Sequence, residues 1–452
     1  MSYARLRHGF FKKNARHTLN ASPPMLLSGG FLALIIIGTI LLSLPISGTT
    51  RISVFNAFFT AASAVTITGL TVIDPYSDLT AFGQTVLTLL VQAGGLGFVT
   101  FAVLTSLALG RKLSMREQAM ALQAFNQTNV SSIKRTALTV IKITIAIEAI
   151  GAVALMVWWA PEMGYGQALK HAVFHSIMGF NNAGFSILKK GLMPYDSDAI
   201  VVIVISMLII LGGIGFSVLH DLIYKRSWLR LMPYTKIIIL GTLALNITGF
   251  VLLFLMEYSN PDTLANLPIH GKLLAAWMQS VTARTAGFTT IDITKMHDSS
   301  TLLVMGFMFI GGGSLSTAGG IKLGTFIILL AAMWSYITQS REVVLGKRTL
   351  EPETIQKSLA LVLISTIIVF GGLFLLTVFE QLPFIDLLFE AVSALSTTGL
   401  SMDTTQLLSK PSLTVLAIMM FAGRLGPLTL IYMLATRKTS RIRYPSAEFP
   451  VG

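Results

Sequence analysis

The stretch SAVTITGLTV, residues 63–72, decides how this chain folds. It follows an apolar run, yet it is crowded with hydroxyls and broken by Gly69. A single glycine there reads as close packing between membrane helices, which small residues permit. It is not single. FFTAASAVTITGLTV, FHSIMGFNNAGFSI, WMQSVTARTAGFTT and FEAVSALSTTGLSM align on Gly69, Gly184, Gly287 and Gly399. At one common offset upstream stand Phe59, Phe174, Trp277 and Phe389, and at one offset downstream Thr71, Ser186, Thr289 and Ser401. A second landmark follows each glycine: GGLGF at 94–98, GGIGF at 212–216, GGGS at 311–314 and GRLGP at 423–427. Four copies of one unit fill the chain.

Composition sets the solvent for those units. Of 452 residues 53% are hydrophobic and 12% charged, against roughly 25% charged in a soluble domain, and mean hydropathy is +0.74. This is an integral membrane protein. Eight apolar runs approach the ~20 residues that cross a bilayer, near 25–45, 83–109, 136–160, 199–224, 235–256, 301–335, 356–379 and 412–435. Within each pair lies a shorter segment, 53–68, 167–183, 271–286 and 385–398. At about 13 helical residues, or roughly 20 Å, such a segment enters the membrane and returns.

Basic clusters lie before the first run and after the second, fourth, sixth and eighth, all on one side, which short cytoplasmic loops favour. Both termini are then cytoplasmic and the short segments enter from outside. The net charge of +13 therefore reflects topology, not a nucleic-acid partner. No cysteine is present, which excludes disulfides and thiolate metal sites. The N-terminus, MSYARLRHGFFKKNARH, has no signal-peptide apolar region. The expected organisation is all-α: a cytoplasmic segment 1–20, pore units 21–110, 111–225, 226–348 and 349–436, and a cytoplasmic tail 437–452.

Four returning segments around one axis bring irregular backbone together at membrane depth, which is tolerated only where it lines a hydrated path. Glycine permits positive φ and close approach there, and helix C-termini point partial negative charge at the centre. A ring of carbonyls replaces the hydration shell of a monovalent cation. The expected filter comprises Thr66, Ile67, Thr68 and Gly69; Asn181, Asn182, Ala183 and Gly184; Arg284, Thr285, Ala286 and Gly287; and Ser396, Thr397, Thr398 and Gly399. Potassium would bind through their backbone oxygens.

Four linked span, short segment, span units with one filter glycine each resemble the Trk/Ktr/HKT superfamily of cation transporters, and within it the membrane subunits of bacterial Ktr potassium-uptake systems. The resemblance runs from about residue 20 to the end. It implies potassium uptake, with sodium as a second ion or requirement, in a bacterial cytoplasmic membrane. It also implies a homodimer on a cytosolic KtrA-like ring that alone carries the regulatory nucleotide, this chain holding no cofactor. Relatives favouring sodium carry serine at the first filter position, where this chain has Gly69.

The third unit departs from its pattern with Gly311, Gly312, Gly313, Ser314, Leu315, Ser316, Thr317, Ala318, Gly319 and Gly320, followed by Ile321 and Lys322. Glycine destabilises a helix interior by about 1 kcal/mol each, so the helix breaks here while the other second spans are expected to continue. The Walker pattern fails because Ile321 separates Gly320 from Lys322. The family resemblance makes this an intramembrane loop that obstructs the pore. Arg424, in register at the second landmark of the fourth unit, is read as a buried ion pair, a barrier charge or a latch on that loop.

Asp74, Asp292 and Asp403 follow three filters and either attract cations or are ordinary loop charge, while the second unit has Lys189 and Lys190 instead. His175 and Glu390 precede their glycines at one offset and suit hydrogen bonds behind the filter. No motif for ATP chemistry, metalloprotease or hydrolase activity is present, so the chain is not read as an enzyme. An alternating-access carrier would need two inverted halves, whereas the four units share one orientation.

Overall fold

The computed structural model describes residues 23–97 and 130–426. The expectations for the N-terminal segment, residues 98–110, the basic cluster beginning at Gly110 and the C-terminal tail lie outside those residues. Fourteen α-helices are described. Unit one holds α1 (Pro23–Leu42), α2 (Val54–Val65) and α3 (Ala81–Gly95). Unit two holds α4 (Val130–Met163), α5 (Tyr165–Phe180), α6 (Ala199–Gly213) and α7 (Phe216–Lys225). Unit three holds α8 (Pro233–Glu257), α9 (Ile269–Thr282), α10 (Asp298–Phe309) and α11 (Leu323–Ile337). Unit four holds α12 (Pro352–Phe379), α13 (Phe384–Ser396) and α14 (Lys410–Leu425).

Side chains set the helix starts. Ser53 accepts a hydrogen bond from Asn56 N at 3.2 Å to open α2, and Asp198 accepts from Ile200 N and Val201 N at 3.0 and 3.1 Å to open α6, each satisfying an orphan amide. Proline occupies the first turn of α8, α12 and α14, where its missing N–H is harmless. The buried stripe of α8 is Thr235, Ile238, Thr242, Asn246, Gly249, Leu253 and Glu257. Its outward residues include Leu240, Leu243, Ile247 and Leu255, the distribution of a helix whose surroundings are as apolar as its own side chains.

Among the described residues three stretches, Ala137–Met163, Pro233–Glu257 and Pro352–Phe379, are long and apolar enough to cross a membrane unaided. The pair α6 and α7 makes a fourth if counted as one, but it bends by 101°. The expectation that second spans outside the third unit continue as helix is therefore corrected. Helix α3 stops at Gly95 and α14 at Leu425, while Gly97, Gly215 and Gly426 have φ of 79°, 101° and 85°, a backbone no helix contains. The all-α expectation also misses a small hairpin, β1 (Val344–Leu345) paired with β2 (Arg348–Thr349). Gly346 and Lys347 between them both have positive φ, the tight turn that matches strand twist.

Like contacts link the units in a cycle. Helix α3 packs on α5, α6 on α9, α10 on α13, and α14 returns to α2. Each second helix thus supports the short helix of the next unit, and the buried core is continuous through these contacts.

Candidate ion pathway

All four short helices end alike. Ile67, Asn182, Thr285 and Thr397 have φ of 52°, 57°, 72° and 49°, and Gly69, Gly184, Gly287 and Gly399 have 97°, 67°, 80° and 83°. Left-handed backbone is unfavourable for the β-branched Ile67, Thr285 and Thr397, on the order of 1–3 kcal/mol each, and persists only when the surroundings impose it. A Cβ placed on Gly69 would meet the Ala183 oxygen at 2.5 Å, one on Gly184 the Ala286 oxygen at 2.9 Å, and one on Gly287 the Thr398 oxygen at 2.6 Å. On Gly399 it would overlap the Thr68 oxygen. Each glycine faces the carbonyl that precedes the next, and the fourth faces the first. The segments meet in one closed ring of backbone.

Amides in this ring turn back to their helices. Thr68, Ala183, Ala286 and Thr398 donate to Ser63, Met178, Thr282 and Ser393 oxygens, and Gly69 N and Gly399 N donate to Ser63 Oγ and Ser393 Oγ at 3.0 and 3.1 Å. Among the described residues the carbonyls of the four segments accept no hydrogen bond, except that Ala183 accepts from Phe185 N. Buried carbonyls without partners are rare. Here they come as a set, in segments whose amides turn back to their own helices.

Side chains brace the ring from behind. His175 Nε2 pairs with Ser186 Oγ at 2.8 Å, and Glu390 accepts from Ser401 Oγ and from Thr405 Oγ1, the latter at 2.7 Å, so both residues tie the returning strand to the short helix. The Arg284 side chain turns away from the ring and donates to Asn246 Oδ1 and Gly311 O, both at 3.2 Å. Its backbone belongs to the ring, whereas its charge ties α8 to the first residue of the loop 311–320.

The loop 311–320 is wedged under the ring. Gly313 N and Thr317 N donate to Gly213 O and Gly212 O at 2.8 and 3.3 Å, and Phe216 N donates to Leu315 O at 2.9 Å. Thr317 Oγ1 donates to Phe180 O at 3.2 Å, and Gly319 abuts Ser396 O and Thr397 Oγ1. Lys322 Nζ donates to Ala318 O at 2.5 Å. Arg424 crosses to this loop: Nη1 donates to Thr317 O at 2.7 Å, Nη2 to Gly94 O at 2.5 Å and Gly95 O at 3.3 Å. No carboxylate lies within ion-pair reach of Arg424 among the described residues. Its partners are carbonyls because the helix ends there and leaves them free.

The second landmark has a role that spacing did not reveal. A Cβ on Gly94, Gly212 or Gly423 would overlap the oxygen of Val65, Phe180 or Leu395, the residues that lead into three of the four ring segments. These glycines let one helix seat against the end of another. Sequence reasoning also passed over Glu148, a lone carboxylate in the apolar run IKITIAIEAI. Its Oε1 accepts from Asn181 Nδ2 at 3.1 Å and its Oε2 from Gln92 Nε2 at 3.3 Å. A charge inside a spanning segment was the available signal.

Beyond the ring Asp74 caps its own loop by accepting from Tyr76 N at 3.0 Å, and Asp292 accepts from Thr294 N at 3.0 Å. Burial, and then the nearby Asp292 charge, pushes the Asp403 carboxyl above its ordinary value.

Helices ending in a backbone ring, with a loop lodged beneath it, define a membrane transport protein. The chain belongs to the TrkH family of cation transport proteins, whose family model matches residues 25–441. It is 43% identical to the Ktr system potassium uptake protein B of Bacillus subtilis, over 95% of this chain and 97% of that one. It is 32% identical to the potassium/sodium uptake protein NtpJ of Enterococcus hirae, over 98% of this chain and 99% of that one. The crystal structure of the potassium transporter TrkH from Vibrio parahaemolyticus superposes with a TM-score of 0.71 at 20% identity, covering 93% of this chain and 86% of that one, and shares the fold.

Proposed function

We propose that this chain carries potassium into the bacterial cell through a channel-like pore, down the electrochemical gradient. Eight spans in four units, with the boundaries given above and both termini cytoplasmic, surround the axis. Carbonyls of Thr66–Gly69, Asn181–Gly184, Arg284–Gly287 and Ser396–Gly399 form the filter, and the loop 311–320 gates it under the hold of Arg424. The observation that carries the reading is the cycle of glycines, each against the next unit's carbonyl, with the ring's oxygens unpaired. The names of the Bacillus and Enterococcus relatives support potassium as cargo. By the same likeness the subunit works as a homodimer on a cytosolic nucleotide-binding ring, with sodium stimulating uptake.

Rubidium flux into liposomes tests this reading. A pore gives flux that follows membrane potential, with potassium preferred over sodium, and substitutions at the four glycines change that preference. Flux that saturates independently of potential would indicate an alternating carrier instead. Equal sodium and potassium flux would favour the second reading, a mixed-cation transporter, which the Enterococcus relative's name motivates.

A further inference from the structure

Glu148 lies in α4, outside the ring and outside the loop, yet hydrogen bonds lead from it to both. Ser176 Oγ donates to its backbone oxygen at 2.6 Å, which fixes α4 against α5. Its carboxylate receives Asn181 Nδ2 at 3.1 Å and Gln92 Nε2 at 3.3 Å, and Gln92 Oε1 receives Asn181 Nδ2 at 2.9 Å. The three side chains make a triangle of donors and acceptors, in which the two hydrogens of Asn181 Nδ2 are shared among Gln92 Oε1, Glu148 Oε1 and Ile177 O, the last at 2.9 Å. No basic side chain lies within ion-pair reach of Glu148 among the described residues. Amides alone satisfy it, which is a demanding arrangement for a buried carboxylate.

Each corner of the triangle continues. Asn181 opens the second filter segment, and the residue before it, Phe180, accepts from Thr317 Oγ1 of the gate loop at 3.2 Å. Gln92 sits on the last turn of α3, where Gly94 O and Gly95 O receive Arg424. Arg424 in turn donates to Thr317 O at 2.7 Å. Filter corner, gate loop, arginine and α3 therefore form one circuit, and the Glu148 triangle closes it on the side away from the pore.

We propose that Glu148 is a positioning residue that keeps the second filter corner and the seat of Arg424 in a single frame, so that losing its carboxylate disturbs ion selection and gating together. The proposal rests on the filter and gate assignments above. A filter glycine substitution alters selection alone, and loss of Arg424 alters the gate alone. Glu148 touches neither ion nor loop and moves both through Asn181 and Gln92.

The test is uptake kinetics per molecule of membrane-inserted protein for E148A, E148Q and the swap Q92E/E148Q, beside a deletion of residues 311–320. Expected for E148A is a loss of potassium-over-sodium discrimination of roughly tenfold, the value of a charge-assisted hydrogen bond, together with a raised maximal rate. E148Q keeps one acceptor but aims an N–H at Gln92 Nε2, and falls between. The swap restores every donor to an acceptor, because the carboxylate moved to position 92 receives both Asn181 Nδ2 and the amide placed at position 148, and it returns both readouts to wild type. Should E148A fail to insert, E148Q and the swap carry the same comparison. Variants that differ only in amount, with unchanged selectivity and rate per molecule, overturn the proposal, as does a swap that fails to rescue. If the loop deletion does not raise the rate, the gate assignment falls and takes the proposal with it. If it does raise the rate while the Glu148 variants behave as wild type, the coupling alone is wrong.

Discussion

Replacing Arg424 with alanine removes three hydrogen bonds, of which only the one to Thr317 O at 2.7 Å holds the loop 311–320, the proposed gate. The other two, to Gly94 O and Gly95 O, anchor the guanidinium on α3. A hydrogen bond with a charged donor contributes about 1.5–3 kcal/mol. Since ~1.4 kcal/mol is a factor of ten, the ratio of closed to open loop should fall by roughly 10- to 100-fold. That factor is the ceiling on the rise in maximal uptake rate, because only the fraction of time spent closed is recovered. Apparent affinity and selectivity stay near wild type, since the ring keeps its bracing hydroxyls. Rubidium uptake in a strain lacking its own potassium uptake gives both quantities. Combining R424A with deletion of residues 311–320 separates two mechanisms. A latch adds nothing once the loop is gone, whereas a barrier charge adds its own increment. Folded R424A protein whose maximal rate is at or below wild type would refute the reasoning.

Serine at the four glycines should weaken potassium selectivity unequally: most at Gly399, where Cβ overlaps Thr68 O, next at Gly69 and Gly287, and least at Gly184, where the nearest atom is at 2.9 Å; competition of rubidium uptake by sodium gives the ranking. S63A and S393A each strand a filter amide, at about 1–3 kcal/mol, and should lower the same ratio roughly tenfold without altering the glycines. Because the Asp403 carboxyl is raised by burial and by Asp292, it gains its proton above the ordinary carboxylate range as external pH falls. Apparent potassium affinity should then decline through that window, and D403N should remove that part of the pH profile.

The glycine register was legible because residue type at fixed spacing records a backbone requirement. The ring at Gly69, Gly184, Gly287 and Gly399 follows directly from it. The left-handed backbone at Ile67, Asn182, Thr285 and Thr397 was not legible, since none is glycine and tertiary contacts impose the conformation. Arg284 shows the limit of spacing in another way. Its position in the alignment gives its backbone place but not the direction of its side chain, which Asn246 and Gly311 decide. The glycines of the second landmark were read as marks of the repeat. Their seating against the ends of α2, α5 and α13, each within its own unit, depends on how the second helix folds back on the short one, which spacing does not show. Glu148 stood plainly in an apolar run, but its partners Gln92 and Asn181 are distant in sequence and carry no charge to pair with it.

The return of α14 to α2, which closes the cycle of helix contacts, has a consequence for how the chain is made. Synthesis delivers the units in order, so the first ring segment waits until the fourth unit arrives. During that interval Thr68 O lacks the Gly399 backbone that will cover it, and polar backbone is held beside lipid, where nothing else satisfies it. The final step of biogenesis is therefore a long-range closure, with the high loop-closure entropy that such contacts carry. A nascent chain arrested before α12 would be three-quarters of a wall with an open seam, and a natural substrate for membrane quality control.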